Sequence, residues 1–151
     1  MKHIHRVLGV MAGSSMDGLD VCLVEFASRQ GQWYFETKWA KTIKYPPSIY
    51  GALKEWAKLS VEDQKRVNGE FARWCSKAID ENVPSIPFDL VGYHGHTVLH
   101  DPSRKISWQL GNGQIIANDL NTPTIADFRS LDVELGGQGA PLVPMGDFEL
   151  F

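Results

Sequence analysis

The chain has 151 residues, 43% of them hydrophobic and 22% charged, with a formal net charge of −3 and a pI near 5.9. That length suits one domain with a substantial core, and that composition excludes a disordered chain. The acidic balance speaks against non-specific nucleic-acid binding, which needs a concentrated basic face, and no run of roughly 18 or more apolar residues offers a membrane span. Residues 1–6 pass straight into a short apolar segment, without the long apolar region or cleavage site of a secretion signal. Cys22 and Cys75 lie far apart in apolar settings, which reads as two buried thiols in a reducing compartment, with a disulfide left open. The expected location is the cytoplasm.

Two apolar runs, His5 to Val10 and Val21 to Phe26, read as the strands of a buried hairpin. Between them, Gly13 and Gly18 give backbone freedom, Ser14 and Ser15 hydroxyls, and Asp17 and Asp20 carboxylates. Two readings fit this turn. Its loop amides make an anion site with an acid placed for Mg²⁺, or an Asp-Gly turn needs only the right backbone angles. Trp33, Phe35, Trp39 and Ile43 then alternate with Glu36, Lys38 and Lys44. This predicts a third strand with one buried face, antiparallel to the second across Gln30-Gly31. Tyr45-Pro46-Pro47-Ser48 ends it. Ile49, Leu53, Trp56 and Ala57 predict a short amphipathic helix. Ser60 caps a longer one, whose buried stripe is Val67, Phe71, Trp74, Cys75, Ala78 and Ile79 and which runs to about Asn82.

Phe88 to His94 reads as a buried strand. Its exit, Gly95 to Pro102, is rich in polar groups at the carboxyl end, where open α/β sheets bind ligands. A short strand (Ile106 to Leu110), a turn at Gly111-Asn112-Gly113, a helix (Gln114 to Leu120) and a brief strand (Thr124 to Ala126) follow. The chain closes with Asp127 to Asp132 and Gly136 to Pro141. The predicted class is α/β, with a mixed sheet that opens on an antiparallel hairpin.

Three polar, glycine-bearing segments, 13–20, 94–101 and 127–141, follow three strands. Buried strands would gather them at one end of the sheet as a composite site. His94, His96 and His100 raise a zinc reading. Against it, helical H-E-x-x-H spacing is missing, no cysteine is close and a fourth ligand is not evident. In the alternative, His94 ends its strand with its ring nitrogens satisfied in the core, His100 is a surface residue, and His96 and Thr97 hydrogen-bond a polar ligand such as a sugar. Arg129 stands between Asp127 and Asp132. It either clamps an anionic substrate group with paired donors or forms an internal salt bridge. A G-x-S-x-G elbow, a P-loop and a G-x-G-x-x-G opening a helix after the first strand are all missing from the sequence.

These blocks resemble a known family. Gly9-Val10-Met11-Ala12-Gly13-Ser14-Ser15-Met16-Asp17-Gly18-Leu19-Asp20, His94-Gly95-His96-Thr97-Val98-Leu99-His100, Gln109-Leu110-Gly111, Asp127-Phe128-Arg129-Ser130-Leu131-Asp132 and Gly136-Gly137-Gln138-Gly139-Ala140-Pro141-Leu142-Val143-Pro144 stand in the order found in anhydro-N-acetylmuramic acid kinases. The resemblance covers essentially the whole chain. It implies an actin-like ATPase lobe of the ribonuclease H-like kind, from the superfamily of sugar kinases, chaperones and actin. It further implies a cell-wall recycling enzyme that uses ATP and Mg²⁺ to open the 1,6-anhydro ring of anhydro-N-acetylmuramic acid with water. Phosphorylation of O6 then gives N-acetylmuramic acid 6-phosphate.

By the same resemblance, Gly13, Ser14, Ser15, Met16, Asp17, Gly18, Leu19 and Asp20 form the ATP phosphate loop, with Asp17 on the Mg²⁺ side. His96, Thr97, Asp127 and Arg129 line the sugar side, and the loop carrying Gly137, Gln138 and Gly139 shapes the cleft. The family usually has glycine-threonine-serine where this chain has Gly13-Ser14-Ser15, a change that keeps a hydroxyl. Similar kinases continue well past this length, into an Asp-Thr-Gly-Pro-Gly-Asn segment bearing the catalytic base and a second lobe holding the adenosine. Residues 1–151 are therefore expected to be a truncated N-terminal lobe, inactive alone, with its base beyond Phe151 and a homodimer formed at full length. The competing reading is a non-catalytic nucleotide-binding module of the actin or chaperone type.

Overall fold

The alternation of the first forty residues is realised as a meander. Strands β1 (Ile4–Ala12), β2 (Leu19–Arg29) and β3 (Gln32–Ile43) pair antiparallel in chain order in the computed structural model, which describes residues 4–151. β4 (Leu90–Asp101) lies parallel to β1 on its free side. The outer edge of β4 is shared: β6 (Thr124–Ala126) runs parallel along Val91–Tyr93, and β5 (Ile106–Leu110) runs antiparallel along His96–Asp101. The order is β3-β2-β1-β4-β5, with β6 also on β4, so the sheet is mixed and the class is α/β. Because β1, β4 and β6 are mutually parallel, their carboxyl ends share one edge.

One face of this sheet is packed. Leu8, Val10, Leu19, Val21, Leu23, Val91 and Tyr93 form a single cluster with Phe71, Cys75 and Ile79 of α2 (Val61–Asn82). Ser60 starts α2 by accepting the Asp63 amide at 3.1 Å, which satisfies one of the orphan donors of the first turn. The hydroxyl of Tyr93 donates to the Cys75 sulfur at 3.7 Å, and burial pushes the Cys75 thiol up to about 12. Gly111 is obligatory here, since a Cβ would stand 1.9 Å from the Tyr93 hydroxyl oxygen. α1 (Pro47–Glu55) and a 3₁₀ turn (Trp56–Lys58) precede α2, and α3 (Gly113–Asp119) packs beside it. Among the described residues, no helix is long and apolar enough to cross a membrane.

Several expectations are corrected. β3 has no buried face: Trp33 and Phe35 are exposed, and Trp39 and Ile43 are half-buried. It is an edge strand, and an extra residue at Lys38 breaks its alternation between the Leu23–Trp39 and Val24–Thr37 pairs. Gly95 to Asp101 is not an exit loop but the second half of β4. Residues 127–141 contain a short helix, α4 (Ser130–Glu134), and the chain ends in α5 (Val143–Leu150). Cys75 is buried as expected, whereas Cys22 is half-buried, and both thiols are free.

Candidate active site

The loop after β1 is shorter than expected. Leu19 and Asp20 already belong to β2; Leu19 is wholly buried, and Asp20 accepts the Thr42 hydroxyl at 2.5 Å. Residues 13–18 form the loop proper, closed by Met16 N–H donating to the Gly13 carbonyl at 3.2 Å. Met16 takes φ +57°, a left-handed conformation that a side chain rarely adopts without a compensating reason. Ser14, Ser15 and Asp17 are exposed, and the amides of Ser14 and Ser15 have no protein acceptor among the described residues. The Ser15 hydroxyl donates to Asp17 Oδ1 at 2.6 Å. With the backbone amides of Asp17 and Gly18, it holds that carboxyl below the usual range and so ionised. Gly18 is demanded by close approach, since a Cβ there would lie 2.7 Å from the Ile43 carbonyl oxygen.

At the corresponding end of β4 the pairing with β1 slips. Val10 faces Tyr93 but Ala12 faces His96, so His94 and Gly95 together oppose Met11. This bulge, with Gly95 at φ +73°, inverts the alternation at His96 and Thr97, until a second irregularity at Val98. Tyr93 and His96 both end buried against the core, while His94 is left half-buried beyond it.

His96 therefore does not line an open sugar cleft. It is 5% exposed, its ring meets Phe71 edge-on at 6.3 Å between centroids, and Nδ1 is buried without a partner among the described residues. Burial lowers its pKa; the Gly13 carbonyl of the first loop pulls the other way. Thr97 pairs with Gln109 within the sheet. His94 instead meets Arg129: the guanidinium Nε donates to His94 Nε2 at 3.0 Å. The three histidines do not converge. His100 faces the Ser107 hydroxyl on the surface, and no cluster of three or more His, Cys, Asp or Glu side chains forms among the described residues.

Arg129 makes no ion pair with either neighbouring acid. Asp127, at φ +57°, accepts from the Ser130 hydroxyl, and Asp132 accepts the Gly139 amide at 2.6 Å. Asp132 is thus the post around which the glycine loop folds: a Cβ on Gly137 would lie 2.2 Å from its carboxylate, and one on Gly139 2.6 Å from Val133. Gln138, between them, is exposed. A cavity of about 770 Å³ opens beside the loop, lined by Met11, His94, Phe128, Arg129 and Ala140 to Val143. Met11 also lines a second cleft with Gly9, Asp20, Thr42 and Gly92 on the same open sheet face. The 13–18 loop and Arg129 thus share one sheet edge with Met11 between them.

Sequence reasoning missed His94 as the partner of Arg129. The inward turn of His96 did have a signal in Gly95, because a glycine inside a strand pattern marks a bulge.

A mixed sheet opening on an antiparallel meander, with an exposed glycine and serine loop between its first strands, defines the class: an actin-like ATPase lobe. Sequence comparison carries this further. A model of the anhydro-N-acetylmuramic acid kinase family matches residues 5–151, and the chain belongs to that family. Relatives called anhydro-N-acetylmuramic acid kinase include one from Prochlorococcus marinus, 37% identical over 96% of this chain and 40% of the relative. One from Azorhizobium caulinodans is 35% identical over 93% of this chain and 41% of its own, and one from Synechococcus elongatus 37% identical over 96% and 40%. The chain spans about two fifths of the length of these relatives.

Proposed function

We propose that this chain is the N-terminal lobe of an ATP-dependent kinase acting on anhydro-N-acetylmuramic acid, in the cytoplasm and within cell-wall recycling. In this reading water opens the 1,6-anhydro bridge as O6 is phosphorylated. The C1–O6 bond breaks, the water oxygen adds to C1, and O6 takes the γ-phosphoryl group, giving N-acetylmuramic acid 6-phosphate and ADP. The water proton passes to a base contributed from outside residues 1–151. The full-length enzyme is taken to be a homodimer.

The observation that carries the reading is the pairing, on one sheet edge, of an exposed backbone loop with an arginine that no acid neutralises. Free amides of Ser14 and Ser15 suit phosphate oxygens, which loop N–H groups cradle. Arg129 suits the carboxylate that a muramic acid carries, through charge-assisted paired hydrogen bonds. Asp127, exposed on the other side of His94, suits sugar hydroxyls, and the Gly137–Gly139 loop, which leads into the lining residue Ala140, would shape the cleft. Phosphoryl transfer needs mainly positioning and charge stabilisation, which these groups supply. Mg²⁺ fits this donor set: it typically takes one or two carboxylates alongside phosphates and water, and Asp17 offers an ionised, exposed oxygen pair. Bound there, it would neutralise phosphate charge.

The test is ADP release by the full-length protein given ATP and the anhydro sugar acid, with the product identified by mass. Sugar-dependent release and a phosphorylated, hydrated product are expected. ATP binding without transfer to this sugar would overturn the reading in favour of a non-catalytic actin-type module.

A further inference from the structure

Strand alternation places His94 on the face opposite Tyr93, beside the β4 bulge, where it meets Arg129, and the hydrogen bonds around that ring fix its chemical state. Nδ1 lies 2.9 Å from the Gly95 carbonyl, which can only accept, so Nδ1 carries the proton. Nε2 lies 3.0 Å from Arg129 Nε, which can only donate, so Nε2 is bare. Both contacts demand the same neutral tautomer. Burial holds the ring's pKa below the ordinary histidine value; the Gly95 carbonyl pulls the other way, and the Arg129 cation adds a smaller lowering.

The consequence falls on Arg129. Its Nε is held, while its two terminal amino groups have no protein partner among the described residues. They belong to a cavity whose other lining residues, Met11, Phe128, Ala140, Pro141, Leu142 and Val143, carry no charge. A carboxylate in the place of His94 would also orient the guanidinium, but it would neutralise it and compete with any anionic ligand. A neutral acceptor orients without neutralising.

We propose that His94 is a positioning residue that grips Arg129 through Nε and aims its two terminal amino groups at the carboxylate of the sugar acid. The identity of that carboxylate rests on the function proposed above; the grip itself does not. Acid should release it, because a proton on Nε2 would point at the Arg129 N–H. The charged or titratable groups around His94 are Arg129, His96 two residues along β4, and Asp127, which lines the cleft on its other side.

Two measurements test this in the full-length protein. In kinetics, His94→Leu removes the acceptor, whereas His94→Gln offers an amide oxygen that does not titrate. His94→Leu should raise KM for the sugar roughly tenfold, the scale of one hydrogen bond to a charged group, and leave KM for ATP unchanged. His94→Gln should stay within about threefold of the unaltered enzyme, on the scale of a weakened hydrogen bond. In the unaltered enzyme, sugar KM should climb as pH falls through the His94 pKa, and His94→Gln should lose that climb. An unchanged sugar KM in His94→Leu, an equal rise in both KM values, or a His94→Gln variant as impaired as His94→Leu would overturn the proposal.

Independently of any turnover, ¹⁵N shifts of the His94 ring should report a proton on Nδ1. Arg129→Ala should shift that proton toward Nε2. A ring already protonated at Nε2 overturns the positioning role. An Nδ1–H ring in a protein that turns over no anhydro sugar acid overturns the functional reading instead.

Discussion

In the proposed function, the two halves of the candidate site would handle negative charge by different means. The loop at 13–18 works through backbone: small residues, free amides, and one exposed carboxylate steadied by the Ser15 hydroxyl at 2.6 Å. The Arg129 side works through side chains, a guanidinium aimed by an imidazole that faces away from the core. Backbone sites are fixed by chain path, so they are sensitive to any residue that cannot follow that path. Side-chain sites are fixed by contacts, so they are sensitive to loss of a partner even when the chain path survives. The division suits a polyanionic phosphate chain on one side and a single carboxylate on the other.

Substitutions can separate the halves. The largest effect is expected from Phe71→Ala, which empties the core beneath both and should cost about 3–5 kcal/mol in denaturant unfolding. If both functions survive at full stability, the shared scaffold is not what holds them. Next, Arg129→Ala should raise KM for the sugar acid roughly ten- to a hundredfold while sparing KM for ATP, the scale of hydrogen bonds to a charged group. An equal rise in both would merge the halves into one. Asp17→Asn should do the reverse, lowering turnover about tenfold at limiting Mg²⁺ with sugar affinity intact. Unchanged turnover would remove Asp17 from the metal side.

Ser15→Ala should be milder, roughly two- to tenfold in turnover, since it releases one hydrogen bond to a carboxylate that remains in place. The smallest expected effect is on stability against pH. His94 and His96 both have lowered pKa values in the folded chain, so the unfolded chain binds their protons first. Stability should be full above the ordinary histidine value of 6.5 and decline as pH falls through it. A melting temperature that holds level through that window would contradict the direction of both shifts.

Much of the fold can be read from periodicity, because long amphipathic elements report their own buried faces. The meander, α2 to Asn82, and the strands Ile106–Leu110 and Thr124–Ala126 follow from residue pattern. β3 misled because its aromatic alternation implies a partner layer, whereas the strand is an edge with exposed rings. Of the candidate site, the exposed loop at Gly13 to Gly18 was legible, because composition alone defines it. The site was not legible at His96, because an extra residue in a strand exchanges inside for outside, nor at His94, whose partner Arg129 lies 35 residues along the chain. Asp132 was similarly hidden: its role as a post for Gly137 and Gly139 depends on a loop returning to it.

The unequal burial of the two cysteines has a practical consequence. Cys75 is sealed under Tyr93 with its thiol pushed up to about 12, so it will not react with a maleimide at neutral pH. Cys22 is half-buried among Gly9, Ala40 and Gly92, on the floor of the open sheet face. The unmodified sequence thus offers one addressable thiol, and a fluorophore attached there would sit beside Met11, where the two halves of the site meet. Labelling stoichiometry near one per chain, confined to the Cys22 peptide, is the expected result, and the dye would then report occupancy of that cleft without any engineered residue.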